Sequence, residues 1–121
     1  MAQSDEEAVQ WYRKAADQGN ADAQCNFGMM LEEGRGVAQS NVMAVQWYRK
    51  AADQGHAGAQ INLGGMFEEG IGVAQSDVEA GRWYQMAAEQ GDAGAQLSLG
   101  LMFEEGRGVA QSNGQVNEMK E

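Results

Sequence analysis

A chain of 121 residues is long enough for one domain, and its 8 Lys and Arg against 18 Asp and Glu give a formal net charge of -10. Tracking a phosphate backbone needs a basic footprint, so this balance argues against a nucleic-acid binder and favours cationic partners. The single cysteine, Cys25, closes no intramolecular bridge, and no segment is apolar enough to span a bilayer.

The N-terminal MAQSDEEAVQ is acidic and lacks both a basic region and an apolar run. No signal peptide is therefore visible, and the default is a soluble, cytoplasmic chain; a chain trimmed of a targeting segment would look the same.

Trp11, Trp47 and Trp83 recur every 36 residues, and 37-VAQS-40 returns as 73-VAQS-76 and 109-VAQS-112. Self-similarity at roughly 20 to 50 residues marks a repeat array, in which each unit touches only its neighbours. In chain order, Ser4 and Glu7 form an S-x-x-E capping box that opens a helix over 5–18, and Gly19 follows as a C-terminal residue of left-handed conformation. The next helix starts near Ala21 and carries a core stripe of Gln24, Phe27, Gly28 and Leu31. Over 41–54, Ala44, Trp47, Tyr48, Ala51 and Ala52 fall at i, i+3, i+4, i+7 and i+8, one face of a helix that Gly55 ends. A helix from Ala57 to Glu69 follows, striped by Gln60, Leu63, Gly64 and Phe67. Glycine inside a helix costs about 1 kcal/mol relative to alanine, so its return at Gly28, Gly64 and Gly100 points to a close helix approach. Contact with the bulky Trp of the partner helix is one reason for such an approach. The glycines of 70-GIGV-73 turn the chain, and Val73 tucks under the pair. Ser76 and Glu79 cap the helix over 77–90, which Gly91 ends, and a helix over 93–105 closes the series. The tail carries neither Trp, Tyr nor the two alanines; it is either a weak helix begun by Ser112 and Gln115 or a frayed end.

With these motifs in place, 57-AGAQINLGGMFEEGIGVAQSDVEAGRWYQMAAEQGD-92 resembles the Sel-one-like repeat (SLR), a relative of the tetratricopeptide repeat (TPR), through LG, GxGV and WYxxAA at fixed spacing. Three departures stand out. Ala38, Ala74 and Ala110 replace a frequent proline, Leu31, Phe67 and Phe103 replace tyrosine, and Cys25 is unpaired, unlike the cysteines of the family's disulfide-rich secreted branch. The resemblance implies an all-α fold, an α-solenoid of antiparallel helix pairs in a TPR-like right-handed superhelix of about three 36-residue repeats. Its frame divides residues 1–113 into an orphan B helix (5–18), two complete pairs (21–54 and 57–90) and an A helix (93–105), with 114–121 a degenerate tail. Family members mostly act as adaptors or scaffolds, and the cysteine-rich branch has been associated with binding or hydrolysing β-lactams.

By the same resemblance the A helices line the concave face of the solenoid. At about 100° per residue, the positions pointing into it are Asp22, Cys25, Met29, Glu32 and Glu33 in the first unit. In the second they are Gly58, Ile61, Gly65, Glu68 and Glu69, and in the third Gly94, Leu97, Leu101, Glu104 and Glu105. The expected groove has an apolar floor of Cys25, Met29, Ile61, Leu97 and Leu101, deepened at Gly65, beside three pairs of glutamates. It suits an extended or helical peptide with apolar anchors and basic groups. Ordinary packing between A helices and a plain solvated face are the bland alternatives, although glutamates at a helix C-terminus oppose its dipole. Another reading is a structural fragment that self-associates through its uncapped ends. A third, a β-lactam-binding or hydrolysing relative, loses its support without the disulfide framework.

No enzyme chemistry, metal or cofactor is expected. The lone histidine, His56, stands in the turn position of Asn20 and Asp92 and reads as a turn residue, and Cys25 has no histidine nearby in sequence. The EEGRG runs lack the Lys-Ser/Thr of a phosphate loop, and the paired glutamates lack a calcium-loop spacing.

Overall fold

Ser4, Ser40 and Ser76 each accept a hydrogen bond from the backbone N–H three residues on, at 3.1–3.2 Å, so each serine ending an AQS stretch begins a helix. The computed structural model of the chain describes residues 4–108, and these form six helices: α1 (Asp5–Asp17), α2 (Ala21–Glu33), α3 (Asn41–Asp53), α4 (Ala57–Glu69), α5 (Asp77–Glu89) and α6 (Ala93–Glu105). No strand occurs among them. The expectations for residues 1–3 and 109–121, including the helicity of the tail, lie outside the described residues. Consecutive helices pack in chain order, and the pairs α2 with α3 and α4 with α5 share the most extensive contacts. The all-α solenoid of helix pairs follows, with α2, α4 and α6 as A helices and α1, α3 and α5 as B helices.

The capping boxes form by half. The N–H of Ser76 donates to the Phe67 carbonyl at 2.9 Å, and the Glu79 carboxylate pairs with Arg82 at 3.2 Å instead of reaching back. An orphan carbonyl at the end of α4 thus takes the donor that the glutamate would have used. The VAQS glutamine does the same work on the next carbonyl: Gln39 and Gln75 Nε2 donate to the Glu32 and Glu68 carbonyls at 3.2 Å. The recurring loop is therefore a helix stop and a helix start in one segment.

Two of the three mid-helix glycines, Gly28 and Gly64, mark close approaches, to tyrosine rather than tryptophan, whereas Gly100 meets no described neighbour. A Cβ at Gly28 would lie 2.8 Å from the Tyr48 ring, and one at Gly64 2.7 Å from the Tyr84 ring. Tryptophan packs further along: the Phe27 and Trp47 rings meet edge to face at 5.3 Å, with the Arg13 guanidinium 5.9 Å from the Trp47 ring centre.

Three successive helices are tied by buried glutamine. Gln60, 1% exposed, donates to the Ala52 carbonyl in the last turn of α3 at 3.2 Å and accepts from Gln90 Nε2 of α5 at 2.9 Å. Gln24 repeats both bonds with Ala16 and Gln54. Burying an amide is tolerable because both its ends are satisfied.

Candidate functional site

The A helices carry the candidate residues at three stations, and the structure treats them unequally. Cys25 belongs to the core: it is 5% exposed, packed between α2 and α4, with Asn62 Nδ2 3.7 Å from its sulfur. It offers a partner no surface, and burial pushes the Cys25 thiol above its ordinary range. Asp22 is exposed and accepts from His56 Nε2 at 2.8 Å, while His56 Nδ1 accepts the Ala59 N–H at 3.0 Å. The two bonds together require the neutral tautomer with its proton on Nε2. His56 is thus the N-cap of α4, as Asn20 and Asp92 are of α2 and α6.

The glutamate pairs of α2 and α4 each split into two roles. The first member accepts a hydrogen bond from a buried tyrosine of the next helix: Tyr48 Oη donates to Glu32 Oε1 at 2.6 Å, and Tyr84 Oη to Glu68 Oε1 at 2.7 Å. This contact raises both tyrosine hydroxyls above their ordinary range, with desolvation the larger cause, and the Tyr84 bond lowers Glu68 below the usual carboxylate value. A charge-assisted bond of this kind contributes roughly 1.5–3 kcal/mol, enough to outweigh the weak dipole repulsion at the helix end. The spacing Glu-x15-Tyr, repeated at 32/48 and 68/84, was the available signal for it.

The arginines of the EEGRG runs were the other residues missed. Arg35 pairs with Asp5 at 3.2 Å and Glu33 at 3.1 Å. Arg107 reaches three carboxylates, Glu105 at 2.7 Å, Glu68 at 2.8 Å and Asp77 at 3.5 Å. Both outer stations are thereby partly neutralised. At the central one Arg107 holds Glu68, but Glu69 is left without a cation, because Ile71 stands where the flanking units have arginine. Glu69 and Glu104 form no ion pair among the described residues.

Four candidates come together. Glu32 of α2 and Ile61, Gly65 and Glu69 of α4 line a cleft of about 260 Å³ completed by Asn62, Met66, Ile71 and Tyr84. A Cβ at Gly65 would lie in ordinary contact with the Tyr84 hydroxyl at 3.7 Å, so the glycine leaves the cleft deeper by the width of a side chain. Met29 instead lines a separate hollow with Tyr12 and Arg35. Leu97 and Leu101 stand on α6, exposed by 66% and 44%. Among the described residues no cluster of His, Cys, Asp and Glu is arranged to hold a metal ion, and no helix is long and apolar enough to cross a membrane.

Known proteins share this fold. A family model, Sel1 repeat, matches residues 1–20, 21–56, 57–92 and 93–115. Among solved structures, a Sel1 repeat protein from Oxalobacter formigenes is 46% identical, with a TM-score of 0.86 over 93% of this chain and 46% of its own. The protein c5321, a protective antigen of uropathogenic Escherichia coli strains displaying an SLR fold, is 42% identical, with a TM-score of 0.87 over 91% of this chain and 24% of its own. Cysteine-rich protein B of Helicobacter pylori, 24% identical with a TM-score of 0.69 over 72% of this chain and 65% of its own, shares the fold. Among curated proteins none matches. The chain thus spans less than half the length of the first two structures it resembles, and it belongs to the Sel1 repeat family.

Proposed function

We propose that the A-helix face is a docking surface for a protein or peptide partner, and that the chain works as a scaffold rather than an enzyme. The partner is an extended or helical segment with apolar anchors and basic groups, lying along the concave side of the array. One observation carries this reading: at the central cleft the unpaired Glu69 carboxylate stands beside the apolar Ile61 and Ile71, with the space of Gly65 between. Exposed Leu97, Leu101 and Glu104 continue the same pattern on α6. Titration with a panel of Lys- and Arg-rich amphipathic peptides tests it. Glu69→Lys combined with Glu104→Lys spares every ion pair of the fold and should weaken binding by about tenfold while flattening its salt dependence. Binding that is unchanged and salt-insensitive in that variant would overturn the acidic rim.

A second reading, self-association through the ends, is favoured by Trp11, which is 68% exposed on α1. Its counterparts are more covered, Trp47 by Phe27 of α2 and Trp83 to 9% exposure, and no helix precedes α1 among the described residues.

A further inference from the structure

Deepening the docking reading, on which it rests, we infer that the central cleft is a seat for one arginine side chain of the partner. The reasoning starts from the neighbouring unit. There, Arg107 lays its Nη2 on Glu68 Oε2 at 2.8 Å and its Nε on Glu105 Oε1 at 2.7 Å, so a single guanidinium bridges the first glutamate of one A helix and the second glutamate of the next. The residues 36 positions earlier are Glu32, Glu69 and, in place of Arg107, Ile71. Glu32 Oε1 is taken by Tyr48, as Glu68 Oε1 is by Tyr84, and its Oε2 has no donor among the described residues. Both carboxylates line the same cleft as Ile71. The cleft is the space of an arginine side chain that the central unit does not supply.

Two further differences confine this to the central unit. Where the flanking A helices carry Met29 and Leu101, α4 has Gly65, which opens a path along the helix surface for an arriving side chain. Where Asp5 and Asp77 pair with Arg35 and Arg107, Asn41 stands opposite Ile71, so the charge of the missing arginine is matched by the loss of one carboxylate and not of the other two. The walls discriminate between cations. The guanidinium is a planar fork that spans two carboxylates through different nitrogens, as Arg107 does, whereas an ammonium is a point charge that satisfies one at a time. The aliphatic stem of the incoming arginine would lie on Ile61 and Ile71, which bury its methylenes as the charge meets the two glutamates.

The test uses the full chain and a fluorescein-labelled amphipathic peptide carrying one arginine between leucines, with lysine and citrulline versions as controls. The arginine peptide should bind about tenfold more tightly than the lysine one, and the citrulline peptide more weakly than either. Ile71→Arg supplies the missing side chain from within. It should keep or raise the melting temperature, since both flanking units carry arginine there, and should weaken the arginine peptide by at least about tenfold. Ile71→Met keeps the wall apolar and should bind as the parent does. Equal affinity for arginine and lysine peptides, or binding that survives Ile71→Arg, would overturn the arginine seat and leave the docking surface standing. Failure of all three peptides and of the wider basic panel to bind would overturn both.

Discussion

At the scale of single residues, packing around the tyrosines decides which side chains tolerate change. The Tyr84 ring is held by Glu68 at one end and pressed on Gly64 along its edge. Gly64→Ala should therefore lose roughly 1–3 kcal/mol in chemical denaturation despite the better helix propensity of alanine, because the ring cannot withdraw without giving up its hydroxyl bond. Among the described residues nothing lies within 4 Å of a Cβ at Gly100, so Gly100→Ala should gain up to about 1 kcal/mol. A parallel pair of melts would expose the contrast. Acid sensitivity follows from Glu68, whose carboxyl lies below its ordinary value of 4.5 because Tyr84 and then Arg107 donate to it. Between its folded and unfolded values the folded state binds fewer protons, so stability rises with pH there. Its contribution is present above about 4.5 and is lost as pH falls through the lower folded value. Melting curves across the acid range should show a shallower acid limb for Glu68→Gln, with its deficit against the parent shrinking as pH falls.

At the scale of elements, the caps and ladders account for six helices of equal length. His56 closes α4 through Nδ1 and ties it to α2 through Nε2, two bonds from one ring. His56→Ala should cost about 1–2 kcal/mol, while His56→Asn, which restores the cap found at Asn20, should recover most of it and lack only the exposed Asp22 link. Equal losses in the two variants would mean that the Asp22 contact, not the cap, holds this turn. The serine caps were readable because a short polar side chain before an apolar stripe has one obvious use. Glu79, three residues after Ser76, was misleading, since the Phe67 carbonyl of the preceding helix, invisible in a local motif, captured the Ser76 N–H.

At the scale of the whole molecule, an array of this kind has two unlike ends. Tyr48 sits on Gly28 and Tyr84 on Gly64, and by the same geometry Gly100 of one chain would seat Tyr12 of another, with Glu104 as the acceptor for its hydroxyl. Sedimentation of the parent should then show mass rising with concentration, and Gly100→Ala should abolish the rise while remaining folded. A parent that stays monomeric at every concentration removes the self-association reading. Such contacts are heterologous, so they extend into open chains unless the rotation closes.

The 36-residue period, the helical stripes and the glycine stops were enough by themselves to determine an all-α repeat array, because each signal is local to one helix or one turn and the same answer repeats three times. The site was legible only in outline. Periodicity names the face on which Glu32, Ile61, Gly65 and Glu69 stand, and the replacement of arginine by Ile71 is visible in the aligned repeats. What only the tertiary structure decided is how residues of neighbouring units share their partners: Cys25 is withdrawn into the core by α4, Glu32 and Glu68 are claimed by tyrosines 16 residues on, and Arg107 is spread over carboxylates of three helices. A helical period fixes direction around one axis, but burial and charge pairing depend on the distance to the next axis, and that distance exists only once the helices are packed.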